Sequence, residues 1–102
     1  MNQQLMKKLK KMQEEMVATQ KEIDETIFTA SAGGIVEVDV LGTKEIDAVH
    51  VAEDFEAESS EDIQMLCESI VAASQKAYRE IDKTTEEKMG KYNAMLGGSG
   101  LF

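Results

Sequence analysis

The feature that most constrains this chain is a change in the spacing of its apolar residues. From Asn2 to Asp24 they fall at Leu5, Leu9, Met12, Met16 and Ile23, with Thr19 in the remaining slot. The steps alternate four, three, four, three, four. That is heptad spacing, which draws one side of an α-helix along a partner helix in coiled-coil fashion. Between Glu25 and Ala52 the period drops to two: Val36, Val38 and Val40 alternate with Glu37 and Asp39, and Val49 and Val51 flank His50. Successive side chains of a strand point to opposite faces, so this stretch reads as β-structure with one polar side. Gly33-Gly34 and Gly42-Thr43-Lys44 divide it into strands at Thr26 to Ala32, Ile35 to Leu41 and Ile46 to Ala52, a three-stranded antiparallel meander.

After the acidic loop Glu53 to Glu58, Ser59-Ser60-Glu61-Asp62 sets a capping hydroxyl ahead of acids that suit a helix N-terminus. Ile63, Leu66, Cys67, Ile70, Val71, Ala77, Tyr78 and Ile81 then form a broad apolar stripe, which thins to Thr85, Met89 and Tyr92. The first half of this long helix is expected to be core and the second half an arm. The expected fold is α+β, in the order α-β-β-β-α. It forms a single domain over residues 1–102, in which the Gly-rich segment 97–102 is a flexible tail. A chain of 102 residues with aromatics at 5% and no Trp builds a thin core. With helices on one sheet face only, self-association is the economical way to complete burial, and Ile35, Val36, Val38, Val40, Val49 and Val51 are the expected dimer interface.

Charge is unevenly distributed. The formal net charge is -9, yet residues 1–21 carry +3, residues 22–68 carry -13 and residues 69–102 carry +1. A net-acidic protein repels a phosphate polyanion at long range, but screening over about 8 Å at physiological salt lets a distant basic helix end act as a local patch. Lys7, Lys8, Lys10 and Lys11 form that patch. Lys7 and Lys11 stand one helical turn apart, an arrangement that costs an isolated helix about 0.2–0.5 kcal/mol unless an anion compensates. A solvated face partly offset by Glu14 and Glu15 is the plainer reading of the same residues.

Catalytic chemistry finds little material. His50 is the only histidine and lies in a strand between valines. Cys67, the only cysteine, sits in the apolar stripe and reads as a buried structural thiol of a reducing cytoplasm. One Cys and one His exclude zinc-finger spacing, and the acids from Glu53 to Asp62 lack the pattern of a calcium loop. No catalytic residue, metal, cofactor or small-molecule substrate is expected. No apolar run reaches the roughly 18 residues of a membrane span, and the polar start lacks a signal-peptide core, so no membrane partner is expected either.

Three stretches together resemble the YbaB/EbfC family of nucleoid-associated proteins. They are Leu5-Met6-Lys7-Lys8 through Lys11-Met12-Gln13-Glu14-Glu15-Met16, Ser31-Ala32-Gly33-Gly34-Ile35-Val36-Glu37-Val38, and Glu61-Asp62-Ile63-Gln64-Met65-Leu66 through Ile70-Val71-Ala72-Ala73. The ending Gly97-Gly98-Ser99-Gly100-Leu101-Phe102 is similar to that family's Gly-rich close. Two features depart from its pattern: Ala52-Glu53-Asp54-Phe55 stands where family members commonly carry a Pro, and the middle is unusually acidic. The resemblance implies a tweezer-shaped homodimer whose sheets join centrally and whose helical arms project outward. It also implies binding of double-stranded DNA with modest sequence preference, in nucleoid organisation or gene regulation, and hence a place in the cytoplasm at the nucleoid. Lys7, Lys8, Lys10 and Lys11 are the candidate DNA-binding residues. A protein-interaction scaffold or holdase-like chaperone, using the Met-lined seam of Met6, Met12 and Met16, is the alternative reading.

Overall fold

The structure is a computed structural model that describes residues 2–96; the expected tail at 97–102 lies outside the described residues. The elements are α1 (Gln3–Glu25), β1 (Ile27–Ala32), β2 (Val36–Leu41), β3 (Ile46–Val51) and α2 (Ser60–Leu96). The order α-β-β-β-α follows the change of apolar period, with boundaries within a residue or two of the expected ones. Asn2 caps α1, its Oδ1 accepting from the Gln4 N–H at 2.8 Å. At the other end Thr26 turns extended, and its hydroxyl donates to the Glu22 carbonyl at 2.6 Å. Ser59 caps α2 by accepting from the Asp62 N–H at 3.3 Å. The Asp62 carboxylate in turn accepts from the Glu58 N–H at 2.9 Å, so the two ends of this turn satisfy each other's donors.

The three strands form one antiparallel sheet in the order β1-β2-β3. Gly33 and Gly34 both take positive φ, 64° and 68°, which a tight primed turn requires and side chains resist. The second hairpin turns on a different kind of residue. Its positive φ falls on Lys44, at 75°, and not on Gly42, giving a three-residue loop closed by a left-handed residue. Lys44 is held there by Asp82 at 2.8 Å, with its ammonium 5.8 Å from the centre of the Tyr78 ring.

α2 lies over β1 and β2. Phe28, Val36, Val38 and Val40 meet Ala73, Ala77 and Ile81, with Ala30, Ala32, Ile35, Leu66, Ile70 and Tyr78 packed around them. The small Ala73 and Ala77 let the helix approach the sheet closely. Beyond the sheet, the second half of α2 continues as an arm against α1, and Ile23, Met89 and Tyr92 bury there with Met12 and Met16 alongside. The α1 seam from Met12 to Ile23 is therefore satisfied within the protomer, whereas Leu5 and Leu9 remain exposed. The molecule measures 70 × 24 × 15 Å and has a radius of gyration of 19.7 Å, against about 13 Å for a compact chain of this length.

Two expectations are corrected by this packing. Val36, Val38 and Val40 are consumed by the protomer's own core, so of the six residues expected at a dimer interface these three are not available to a partner. Ile35 is half-buried, and only Val49 and Val51 remain exposed, at 41% and 43%. Cys67 is likewise exposed and not buried, because the face of α2 that meets the sheet is centred on Leu66, Ile70, Ala73 and Ala77, which leaves Cys67 and Val71 on its flank.

Candidate nucleic-acid interface

Lys7, Lys8, Lys10 and Lys11 all lie exposed on the first turns of α1. With Met12 and Met16 turned toward α2, the lysines are displaced from the seam and reach solvent. The structure does not treat them alike. Lys8 and Lys11 join Met12, Glu15, Lys91, Tyr92 and Met95 around a groove of about 280 Å³ at the arm tip, which Lys7 and Lys10 do not line. Lys91, from the far end of α2, was not singled out from sequence. Its ammonium stands 5.0 Å from the centre of the Tyr92 ring, which orients it beside the α1 lysines. Its signal was present in the alignment of two antiparallel apolar seams, but the pairing of Met12 and Met16 with Met89 and Tyr92 is needed before Lys91 can be placed.

Among the described residues, no carboxylate lies within ion-pair distance of Lys7, Lys8, Lys10, Lys11 or Lys91. The acidic loop is far away. It precedes α2, and from Ser60 to Lys91 the helix runs about 46 Å at 1.5 Å per residue, several screening lengths. The cationic tip is thus set well apart from the acidic loop, and Glu15 is the one carboxylate lining its groove. The groove can accept an anion between two helices, with aliphatic lysine stems resting on methionine and tyrosine.

The outer sheet face carries a linked set of three polar side chains, Thr29, Asp39 and His50. The Thr29 hydroxyl donates to Asp39 Oδ1 at 2.7 Å, and His50 Nε2 lies 2.9 Å from Asp39 Oδ2. The Thr29 hydrogen bond, foremost, and the His50 contact hold the Asp39 carboxyl below the ordinary value of 3.8. The residues are cross-strand neighbours on an open surface, and the Thr29 hydroxyl is bonded to Asp39 and not to His50, so the set reads as a sheet-face network. Among the described residues no group of three His, Cys, Asp or Glu side chains could hold a metal ion, and no helix is long and apolar enough to cross a membrane.

Two helices flank a three-stranded meander, and the tip of their paired arm carries clustered lysines. The profile of the YbaB/EbfC DNA-binding family matches residues 1–96, and the chain belongs to that family, which is a family of DNA-binding proteins and not of enzymes. A nucleoid-associated protein of Agathobacter rectalis is 44% identical over 99 residues, covering 96% of this chain and 85% of the relative. One from Clostridium novyi is 37% identical over the same coverage of both chains. The crystal structure of the uncharacterized protein HP0035 from Helicobacter pylori shares the fold with a TM-score of 0.67, covering 95% of this chain and 99% of that one at 22% identity.

Proposed function

We propose that this protein is a nucleoid-associated DNA-binding protein that works as a homodimer, its paired arms gripping duplex phosphates with low sequence specificity in nucleoid organisation or gene regulation. The observation that carries the reading is the arm-tip groove, where Lys8 and Lys11 of α1 meet Lys91 of α2 with no acid paired to any of them among the described residues. Membership of a DNA-binding family and relatives named nucleoid-associated proteins support it. Phosphate contacts position a protein without reading bases, and the chain carries no base-reading motif.

A second copy is expected at β3. Val38 pairs with Val49 and Val36 with Val51, so these side chains share the face that α2 covers over β1 and β2. α2 does not extend over β3, and Ile46, Val49 and Val51 remain 41–45% exposed. On the adjoining flank of α2, Ile63 and Val71 are also exposed. The accessible surface of 7467 Å² exceeds the roughly 5700 Å² of a compact monomer of this mass. Edge pairing through β3 would extend the sheet across a two-fold axis and cover these residues while setting the two arms apart.

A gel-shift titration across salt tests the reading. If Lys7, Lys8, Lys10 and Lys11 of both protomers meet phosphates, the log–log salt slope is about -7. Substituting these four lysines by Glu is expected to abolish binding while the dimer persists; absence of duplex binding by the wild-type protein at low salt removes the reading. The exposed Leu5, Met6 and Met95 at the arm support a second one, a scaffold or holdase that captures proteins on an adaptable apolar surface. Capture that survives the lysine substitutions favours it.

A further inference from the structure

A second group of cations on α2 is not part of the arm-tip groove. Lys76, Arg79 and Lys83 recur at steps of three and four, which puts them on one side of the helix. Lys76 and Arg79 line an open cleft of about 460 Å³ between α2 and the β1 edge, together with Thr29, Ala30, Ser31 and Glu80. Lys76 is fixed in place, its ammonium donating to the Ser31 carbonyl at 3.1 Å. Arg79 is the only arginine of the chain. Among the described residues neither cation has a carboxylate within ion-pair distance. The acid three residues beyond Arg79, Asp82, is bound to Lys44 from the β2–β3 turn, and Glu80 is the one carboxylate lining the cleft.

We propose that this cleft is a second anion-binding site, which takes a backbone phosphate of duplex DNA; the proposal rests on the DNA-binding reading above. Arg79 supplies the planar fork that matches phosphate oxygens bidentately, and Lys76 adds a point charge held at a set position. The placement suits a duplex more than an isolated anion. From Arg79 to Lys91 the helix advances about 18 Å, or about five base pairs at 3.4 Å each along a duplex lying beside the arm. Each strand of a B-form duplex turns by about half a turn over that distance, so the phosphates that face the cleft and the arm tip would come from the two strands bordering one groove.

The test measures affinity for a 30-base-pair duplex by fluorescence anisotropy over a range of salt, for the wild-type protein, Arg79→Gln, Arg79→Lys and a Lys8→Gln/Lys11→Gln arm variant. With one contact per protomer, Arg79→Gln makes the log–log slope of a dimer shallower by about 2. Arg79→Lys keeps the slope, because the charge remains, but binds several-fold more weakly because the fork is lost. Wild-type slope and affinity in both Arg79 variants, alongside a shallower slope in the arm variant, overturn the cleft and leave the arm reading standing. A wild-type protein that binds no duplex at low salt overturns both. A polyglutamate probe whose binding Arg79→Gln abolishes, with the duplex slope unchanged, assigns the cleft to an acidic polypeptide and overturns the proposal. Because Arg79 is exposed, the thermal melt of each variant is expected to match wild type; if Arg79→Gln melts lower, Arg79→Lys decides, and wild-type affinity in it overturns the proposal.

Discussion

Gly42 lies flush against the carbonyl of Ile23, so that a Cβ built on it would overlap that oxygen. The Gly42 N–H donates to the Thr26 carbonyl at 3.0 Å just beyond, and the β2–β3 turn is thereby seated on the end of α1. This contact joins the arm to the sheet where the chain leaves the helix. Since the obstructing atoms are main-chain atoms, Gly42→Ala forces a backbone displacement at that joint and is expected to destabilise the protein by about 3 kcal/mol. A chemical-denaturation midpoint unchanged from wild type would show that the joint yields freely.

The arm is held by a small cluster, and its stability is separable from that of the sheet. Tyr92 is buried against Ile23 and Met89, with Met12 and Met16 beside it. Truncating it removes a large side chain from a site with few other neighbours, so Tyr92→Ala is expected to cost about 3 kcal/mol of local stability. Hydrogen exchange should then quicken over the first half of α1 and the last turns of α2, while the β-sheet amides keep their protection. Uniform loss of protection would mean that arm and sheet unfold as one unit.

The β3 edge makes the oligomeric state testable without touching the core. Val49 and Val51 are exposed in the protomer, whereas Val38, their neighbour on the same face, is wholly buried. Val49→Asp with Val51→Lys is expected to give a folded monomer, with far-ultraviolet dichroism retained and a halved mass by light scattering. Val38→Asp, in contrast, unfolds the protomer by burying an unpaired charge. A double variant that stays dimeric moves the interface off β3.

Asp39 gives the protein a predictable response to acid. Its carboxyl is held below 3.8 by the Thr29 hydroxyl first and by His50 next. A lowered folded value means the contribution to stability is fully present above about pH 4 and is lost as pH falls through that lower value. Asp39→Asn removes the titrating group, so its melting temperature should fall less steeply than that of wild type below pH 4. Parallel acid limbs in the two proteins would show that other carboxylates dominate the transition.

Much of the fold was legible in the sequence because periodicity is a local property. Heptad steps from Leu5 to Ile23 and alternation from Val36 to Val40 fix which residues share a side of one element, whatever that element later meets. The left-handed turn at Gly33-Gly34 and the cap at Ser59 are legible for the same reason, since each depends on a few adjacent residues. Packing between elements is not local. Alternation said that Val36, Val38 and Val40 share a face, but only the placement of α2 over β1 and β2 decided that this face is the protomer's own core and that Val49 and Val51 are left outside it. The same placement turned Cys67 outward and carried Lys91 to Lys8 and Lys11, while the seating of the β2–β3 turn on the end of α1 set Gly42 against Ile23. Residues eighty positions apart in sequence become neighbours only when two apolar seams bury each other, because that burial, and no preference of the residues themselves, chooses the rotation and register of the helices.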